Sequence, residues 1–327
     1  MSNTDFPFAP ALFIKTWRAP CACKLISNPV KFTTMNEIID IRDRNILSCD
    51  EVLELNFINA SGPYIFRRHY RSGLRSLIFE VLLARDVEKE TTGEIIDGIK
   101  MFPRSKPKKM FRILRNRFNS KDEVLTEIKK YTVLLACLGP DLIAASEEFI
   151  VDYVNMGKRE IVLCGLQEYV EGEILDPWRI SGKNHLRDLF AAIPEIDMAQ
   201  TVWLRKIKKN IARFIEKIRR MIADTGYIPD LAGIGNLIVT GDGSFKLVDI
   251  NNIVPLKLDD TILIDDKGYP SCDVSVDVLS ILEKDILHKS LPQDDPLYRH
   301  FLSPERKKKV KHLERTFYNR ISKEVQQ

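Results

Sequence analysis

Three oxygen-bearing side chains that could share one piece of chemistry lie close together in the sequence: Asp230, Asn236 and Asp249. Asp230 follows a proline, Asn236 directly precedes one apolar run, and Asp249 ends another. Carboxylate and amide oxygens are hard ligands, and they suit a divalent cation when rigid strand ends hold them. The ordinary alternatives are that Asp230 is a turn residue after proline and that Asp249 only ends a strand.

The elements around these residues are predicted to be two short strands and two helices. The strands, 237–240 and 245–249, are joined across Gly241-Asp242-Gly243, and an Asp-Gly step is a strong signal for a hairpin. Upstream, apolar residues repeat on one face over 203–222, which predicts a core helix with a basic outer face. Downstream, the pattern predicts a helix over 276–287.

The N-terminal half has the pattern of an antiparallel sheet. Five strand-like runs are present, at 64–70, 76–84, 94–102, 149–154 and 160–167. The first three predict a meander, and the last two predict a hairpin. Helical periodicity over 122–138 lies between them and stops at Gly139-Pro140. The pattern breaks at 168–172, which indicates a linker before mainly helical material.

Composition restricts the class of protein. The chain has 327 residues, of which 44% are hydrophobic and 29% charged, so it can bury a sizeable core. Its net charge of +4 is too small to indicate nucleic-acid binding by itself. Six cysteines are too few for a disulfide scaffold, and the lone Cys-x-Cys lacks a second ligand pair for zinc. No apolar run is long enough to span a membrane and no secretory leader is recognisable, which predicts a cytoplasmic protein.

The order of these elements and motifs resembles the protein-kinase-like superfamily. The motifs that carry the resemblance are Ile228-Pro229-Asp230, Asn236-Leu237-Ile238-Val239, Asp242-Gly243 and Lys246-Leu247-Val248-Asp249. The resemblance covers about residues 63 to 288. It implies an α+β fold with two lobes: an N-lobe over 63–167 with a five-stranded antiparallel sheet and one helix, and a mainly helical C-lobe over 168–327. Residues 1–62 are then an N-terminal extension.

The resemblance implies transfer of a phosphoryl group from ATP with the help of Mg²⁺. Asp249 then corresponds to the metal-binding aspartate of the Asp-Phe-Gly motif, and Asn236 is the second metal ligand. Asp230 corresponds to the catalytic-loop aspartate, which orients the acceptor hydroxyl or takes its proton. In the C-lobe, Asp273 and Asp277 resemble the start of the buried helix that supports this loop.

The resemblance also assigns residues to nucleotide binding. Lys100 corresponds to the third-strand lysine that holds the phosphates, and Glu127 to its helix partner, with Glu123 in reserve. In the phosphate-covering loop only Gly73 is present, and Arg71 and neighbouring polar side chains are the substitute donors. Hinge backbone groups of Glu168 and Val170 are expected to bind the adenine edge.

Several departures from the family pattern bear on activity. Asn236 lies six positions after Asp230, one more than in the family, and two glycines between them are expected to absorb the extra residue. Only about 40 residues follow 287, too few for a peptide-docking platform. The predicted acceptor is therefore a small molecule, sugar or lipid head group. The alternative is a pseudokinase that acts as a scaffold or a nucleotide-binding regulator.

A basic segment over 104–117 suggests a second class of function. It contains seven basic residues and no acidic one, interleaved with apolar residues. Such a segment could contact an anionic membrane surface or RNA, and the ordinary alternative is a solvated loop. A second basic cluster, at 306–312, is predicted to be the face of a C-terminal helix.

Overall fold

The computed structural model describes residue 42 and residues 63–70, 73–155, 158–180, 182, 184–194 and 196–325. The chain divides into two compact units. The first comprises Met1–Thr126 and Ser146–Tyr169, and the second comprises Glu127–Ala145 and Val170–Gln327. Residues 127–145, which the sequence assigns to the N-lobe, thus belong to the second unit. The described part of the chain is α+β, with seven α-helices and one five-stranded antiparallel sheet.

The first unit is built around that five-stranded sheet. In chain order the elements are β1 (Tyr64–Arg68), β2 (Ser76–Leu83), α1 (Ala84–Thr92), β3 (Glu94–Ile96), β4 (Ile99–Met101), β5 (Lys109–Leu114), α2 (Lys121–Leu138), β6 (Ser146–Asn155) and β7 (Lys158–Glu168). The spatial order is β1-β2-β5-β7-β6, and every neighbouring pair is antiparallel. The prediction of a five-stranded antiparallel sheet is therefore confirmed.

One face of this sheet forms an apolar core. Alternate residues of a strand point to opposite faces, so each strand contributes every second side chain. The buried members are Phe66, Leu77, Phe79, Val81, Phe111, Ile113, Val162 and Cys164. Phe111 of β5 is central, because its ring lies 5.8 Å from the ring of Phe66 and 6.3 Å from that of Phe79.

The predicted third strand was wrong. Residues 94–102 form a separate hairpin, β3–β4, and do not join the sheet. Asp97 and Gly98 adopt positive φ values of 51° and 78°, which closes a two-residue turn and pairs the short strands with each other. Ile95 and Ile99 remain 77% and 66% exposed. The third place in the sheet belongs instead to β5, which the sequence analysis had included in the basic segment.

The second unit is mainly helical with three short-strand pairings. After α2 it contains β8 (Glu173–Ile174), a 3-10 turn (Pro177–Arg179), α3 (His185–Ala192), α4 (Gln200–Thr225), β9 (Tyr227–Pro229), β10 (Leu237–Val239), β11 (Phe245–Leu247), β12 (Ile253–Pro255), α5 (Ser271–Ile281), a π-helical turn (Leu282–Ile286), α6 (Pro296–Phe301) and α7 (Pro304–Val325). Strands β11, β10 and β8 form one sheet, and β12 pairs with β9. The α7 helix confirms the prediction for 306–312.

Helix α4 is the core element of the second unit. Its fully buried side chains include Trp203, Ile207, Ile211 and Phe214, spaced at three and four residues as the sequence predicts. Each such burial stabilises the fold by about 1.5–3 kcal/mol. Trp203 also donates from Nε1 to the Thr240 carbonyl at 2.9 Å, which joins the helix to the hairpin of β10 and β11.

Helix α5 begins earlier in the chain than the sequence predicts. Its first residue is Ser271 rather than Val276, so residues 271–275, including the polar Ser271, Asp273 and Ser275, are helical and buried. No helix among the described residues combines the length and apolar character needed to cross a bilayer.

Candidate functional site

The loop between β9 and β10 starts at Asp230, whose backbone is held from two sides. The Asp230 N–H donates to the Asn252 carbonyl at 2.8 Å, continuing the β9–β12 pairing. The next N–H, of Leu231, donates to Ser275 Oγ on helix α5 at 3.0 Å. A strand pair and a buried helix therefore fix where the loop begins.

The Asp230 carboxylate is buried and oriented. It is 6% exposed. Its Oδ1 accepts a hydrogen bond from the Ala232 N–H at 2.9 Å, and its Oδ2 accepts one from Asn252 Nδ2 at 2.8 Å. These two bonds, one to each carboxylate oxygen, set the direction of the group.

Asn236, at the end of the same loop, presents an amide oxygen. Its Nδ2 donates to the Asp230 carbonyl at 2.9 Å, which fixes the orientation of the amide. No described residue donates a hydrogen bond to its Oδ1. The amide occupies the space beside Gly233, where a Cβ would lie 2.5 Å from Oδ1.

The loop between Asp230 and Asn236 contains a tight turn. The Asn236 N–H donates to the Gly233 carbonyl at 3.0 Å, and Gly235 within this turn has a φ of 96°. A positive φ of this kind favours glycine. The expectation that two glycines accommodate the longer spacing from Asp230 to Asn236 agrees with this geometry.

Asp249 lies at the same end of the β10–β11 hairpin as Asn236. Leu237 pairs with Leu247, and the Val248 N–H donates to the Asn236 carbonyl at 2.8 Å, directly before Asp249. Asp249 is half-buried, and its Oδ1 accepts a hydrogen bond from the Asn251 N–H at 3.3 Å. No cationic side chain among the described residues forms an ion pair with Asp249.

These oxygens fit a divalent cation shared with a ligand better than a closed metal site. Within the described residues, no group of three His, Cys, Asp or Glu side chains is placed to hold a metal ion. Mg²⁺ is usually bound by one or two carboxylates while phosphate oxygens and water complete its coordination. Asp249 and the Asn236 amide oxygen are a donor set of that kind.

Asn252 is a functional candidate that the sequence analysis missed. It accepts from the Asp230 N–H with its carbonyl and donates to the Asp230 carboxylate with its side chain. Its Nδ2 also donates to Ser271 Oγ at 3.1 Å, and Ser271 donates to the Asp265 carboxylate. The only sequence signal was a second asparagine after Asp249-Ile250-Asn251. Asn252 thus positions Asp230.

Helix α5 supports the loop through a residue other than those expected. The contact to the loop is made by Ser275, whereas Asp273 forms a buried ion pair with Arg306 of α7 and Asp277 accepts from Lys307 Nζ at 2.9 Å. Arg306 is 7% exposed, so this first residue of the cluster at 306–312 is buried, although the cluster lies on a C-terminal helix as predicted.

The residues expected to bind phosphates lie in different surroundings. Lys100 is exposed on the β3–β4 hairpin, with its Nζ 5.5 Å from the centre of the Phe102 ring. Glu127 accepts a hydrogen bond from Lys130 Nζ one turn later on α2, at 2.7 Å. Glu123 accepts from the Asn119 N–H at 2.8 Å and so caps the start of α2.

The third strand of the sheet carries a different buried cation, Arg112. Its Nη2 lies 2.5 Å from Glu148 Oε1 on β6, and the two side chains are 5% and 4% exposed. Both face Gly165 on the intervening strand β7, where a Cβ would lie 2.7 Å from the Glu148 oxygen and 2.8 Å from the Arg112 nitrogen. Arg112 was not predicted as a buried cation because its position in the sequence falls within the basic segment 104–117.

The remaining nucleotide-binding candidates are only partly described. Gly73 lies in the connection from β1 to β2, and Arg71 lies outside the described residues. Glu168 ends β7 opposite Lys109, and Val170 is buried at the start of a segment of the second unit.

The basic segment 104–117 does not form a single basic face. Arg112 is buried in the sheet, Arg115 donates to the Arg42 carbonyl at 2.7 Å, and Lys108 Nζ lies 3.7 Å from Asp86. Strand alternation sends neighbouring residues of β5 to opposite faces. The predicted amphipathic surface for membrane or RNA is therefore divided among separate contacts.

No family model matches the sequence, and no curated protein matches it significantly.

Proposed function

We propose that this chain is a kinase-like phosphotransferase that uses ATP and Mg²⁺ and acts in the cytoplasm. The observation that carries the proposal is the arrangement around the β9–β10 loop. It combines an oriented, buried carboxylate at Asp230 with two oxygen donors, on Asn236 and Asp249, at one end of a hairpin. Phosphoryl transfer needs charge neutralisation and an oriented acceptor, and this arrangement offers groups for both.

Each residue of the site has a distinct role in this proposal. Asp249 and the Asn236 amide oxygen hold Mg²⁺, and the bound metal neutralises charge on the phosphates of ATP. Asp230 orients the acceptor hydroxyl and accepts its proton. Asn252 keeps the Asp230 carboxylate in one direction through the 2.8 Å hydrogen bond.

In the first unit, Lys100 is the cation that the resemblance assigns to the phosphates, and Arg112, which is bonded to Glu148, is a second candidate. Arg112 is the buried cation on the third strand of the sheet, the strand to which the kinase-like resemblance assigns that role. An arginine can donate two parallel hydrogen bonds to a phosphate, whereas a lysine acts as a point charge.

The proposed acceptor is a hydroxyl on a small molecule, a sugar or a lipid head group. After α5 and the π-helical turn, the described residues of the second unit form the short α6 and the long α7. The support for a non-peptide acceptor is that Arg306 and Lys307 tie the first turn of α7 to α5, so this helix supports the unit rather than presenting a separate docking surface.

A nucleotide-binding pseudokinase is the second candidate. The observation that favours it is the environment of Asp230, which is 6% exposed and accepts a hydrogen bond at each carboxylate oxygen. Such a carboxylate is less available as a proton acceptor than an exposed one.

Thermal-shift titration with ATP, with and without Mg²⁺, tests the proposal. Saturation with a ligand at 100 times its Kd stabilises the native state by about 2.7 kcal/mol, which is a measurable shift in Tm. We expect Asp249→Asn to remove the Mg²⁺-dependent part of the shift. Asp260→Asn, at an exposed aspartate of the same unit, is the matched control and should retain it. An unchanged response of Asp249→Asn contradicts the metal assignment.

Turnover separates the two candidates. For an enzyme, Asp230→Ala should keep the Mg²⁺·ATP shift and lose about 100-fold to 10,000-fold in rate, the range for general acid–base groups. For a pseudokinase, the parent chain binds ATP without phosphorylating or hydrolysing anything. Lys100→Met should weaken the ATP shift if Lys100 holds the phosphates, and Arg112→Met should weaken it if Arg112 does, each shift being measured from the variant's own ligand-free Tm.

A further inference from the structure

A small cavity in the second unit is lined mainly by positive groups. It measures about 210 Å³ and lies among the start of α3, the first half of α4 and the end of the π-helical turn. Its polar lining consists of His185 and Arg187 of α3, Arg205 and Lys208 of α4, and Asp285 and His288. None of these residues belongs to the proposed phosphotransferase site.

The three cations at this cavity are unpaired. Arg187, Arg205 and Lys208 form no ion pair with any residue that the structure describes. Two other basic residues of α4 are paired, since Lys206 contacts Asp242 and Arg213 contacts Asp141. Three cations therefore line the cavity, against which Asp285 is the one acidic lining residue, and the Asp176 and Asp188 carboxylates act on His185 from nearby.

A second observation points to a ligand. His185 Nε2 is buried but has no hydrogen-bond partner among the described residues. Burial lowers the pKa of His185, so at neutral pH the ring is uncharged and Nε2 can carry a donor N–H. Buried polar atoms of native proteins normally have a partner, and an anion bound in this cavity would supply the missing acceptor.

The backbone adds to this preference for an anion. His185 is the first residue of α3, and the side chain of Asn184 forms no capping hydrogen bond with the described residues of the first turn. Helix N-termini carry partial positive charge and attract anions. Four features thus occur at the same place. They are the cavity, the cations that form no ion pair with described residues, the His185 imidazole without a hydrogen-bond partner among them, and the start of α3, where the Asn184 side chain forms no capping hydrogen bond.

We propose that this cavity binds a phosphate group, either as a small inorganic anion or as the phosphate of an ester. Pockets for drug-sized ligands measure about 300–1,000 Å³, so a cavity of about 210 Å³ suits a phosphate group rather than a whole nucleotide. Arg187 and Arg205 donate charge-assisted hydrogen bonds to its oxygens, and Lys208 and His185 complete the donor set.

Isothermal titration of the full chain with inorganic pyrophosphate, in the presence of EDTA, tests the proposal. We expect saturable binding that weakens at least about tenfold in the double variant Arg205→Ala/Lys208→Ala, because a charge-assisted hydrogen bond is lost at each position. Lys209→Ala is the matched control. It removes a neighbouring exposed lysine of α4 that does not line the cavity, and it should leave binding within twofold.

A variant that improves binding makes the test independent of any folding defect. Asp285→Asn removes the one acidic lining group and should tighten pyrophosphate binding several-fold. Asp249→Asn should leave it unchanged, which distinguishes failure of this proposal from failure of the phosphotransferase assignment. Titrations with inorganic phosphate and with glycerol phosphate then show whether the free ion or the ester is preferred. Absence of saturable binding, or equal binding by the double variant, overturns the proposal.

Discussion

The buried ion pair between Arg112 and Glu148 gives the most quantitative test of the first unit. With side-chain exposures of 5% and 4%, neither partner can be solvated when the other is removed. Breaking a buried pair by removing one charge costs about 3–5 kcal/mol. Because whole domains are stable by only about 5–15 kcal/mol, Arg112→Met should remove a large part of the stability of the sheet.

Replacing both partners should cost much less than replacing one. The double variant Arg112→Met/Glu148→Met leaves no buried charge, and apolar replacements of buried pairs are often neutral or stabilising. The coupling energy from this double-mutant cycle should therefore be large. Of the variants in the cycle, Arg112→Met should have the lowest free energy of unfolding, and that of Glu148→Met should be only slightly higher. Urea denaturation, followed by hydrogen exchange in the peptides of β5 and β6, measures these differences in stability. Both strands belong to the first unit, so the exchange reports on that unit.

An exposed ion pair provides the control for this series. Arg213 and Asp141 lie 3.2 Å apart with side-chain exposures of 44% and 69%, so Arg213→Met should cost less than about 1 kcal/mol. If Arg112→Met costs no more than Arg213→Met, the burial of the Arg112–Glu148 pair is refuted. A cost for the double variant equal to the sum of the single costs would refute their coupling.

Three further predictions concern the second unit. Gly233→Ala should displace the Asn236 amide, because the new Cβ would lie 2.5 Å from its Oδ1. The Mg²⁺-dependent Tm shift with ATP should therefore fall, and a Tm shift equal to that of the parent contradicts this prediction. Asn252→Ala should lower kcat more than it raises the KM for ATP, since it releases Oδ2 of Asp230, and steady-state kinetics that show only a KM effect would exclude the positioning role. Hydrogen bonds from the hydroxyl groups beside Asp242 outweigh its partial burial and lower its pKa from 3.8 to about 2. Its folded-state pKa lies below the unfolded value, so its contribution to stability is present above about pH 4 and is lost as the pH falls towards 2; the difference in Tm between the parent and Asp242→Asn should shrink over that range.

Local patterns predicted the elements that depend on neighbouring residues. The spacing of Trp203, Ile207 and Ile211 made α4 evident, and Gly241-Asp242-Gly243 predicted the hairpin of β10 and β11. These signals depend on residues only a few positions apart. They predict the structure correctly because the same residues pack against the core or form the turn in the folded chain.

The elements that were misassigned depend on distant partners. Arg112 is a strand residue with its charge buried, which is favourable only because Glu148, 36 positions later, lies across Gly165. From the sequence alone, its charge indicated a solvent-exposed segment. The Asp97-Gly98 step was a hairpin signal within the supposed third strand, and it was overlooked because apolar residues on both sides of it made 94–102 resemble one longer strand.

The candidate site was predictable in its types of residue but not in its support. Asp230, Asn236 and Asp249 have recognisable spacing, and the structure places Asn236 and Asp249 at one end of a hairpin. The residues that position them, Asn252 and Ser275, have no such signal, because a single asparagine or serine has many ordinary uses.

The alternation of the chain between its two units restricts how this protein can fold and be rearranged. Residues 127–145 are inserted between β5 and β6 of the first unit, yet they supply Leu134, Leu138, Leu142 and Ile143 to the core of the second. Leu142 and Ala144 also hydrogen-bond to Leu247 of β11. A cut between Tyr169 and Val170 therefore separates the second unit from these buried side chains of its own core. The second unit cannot be produced with a complete core as a fragment that begins at Val170, nor exchanged as a module by recombination there, unless residues 127–145 are supplied with it.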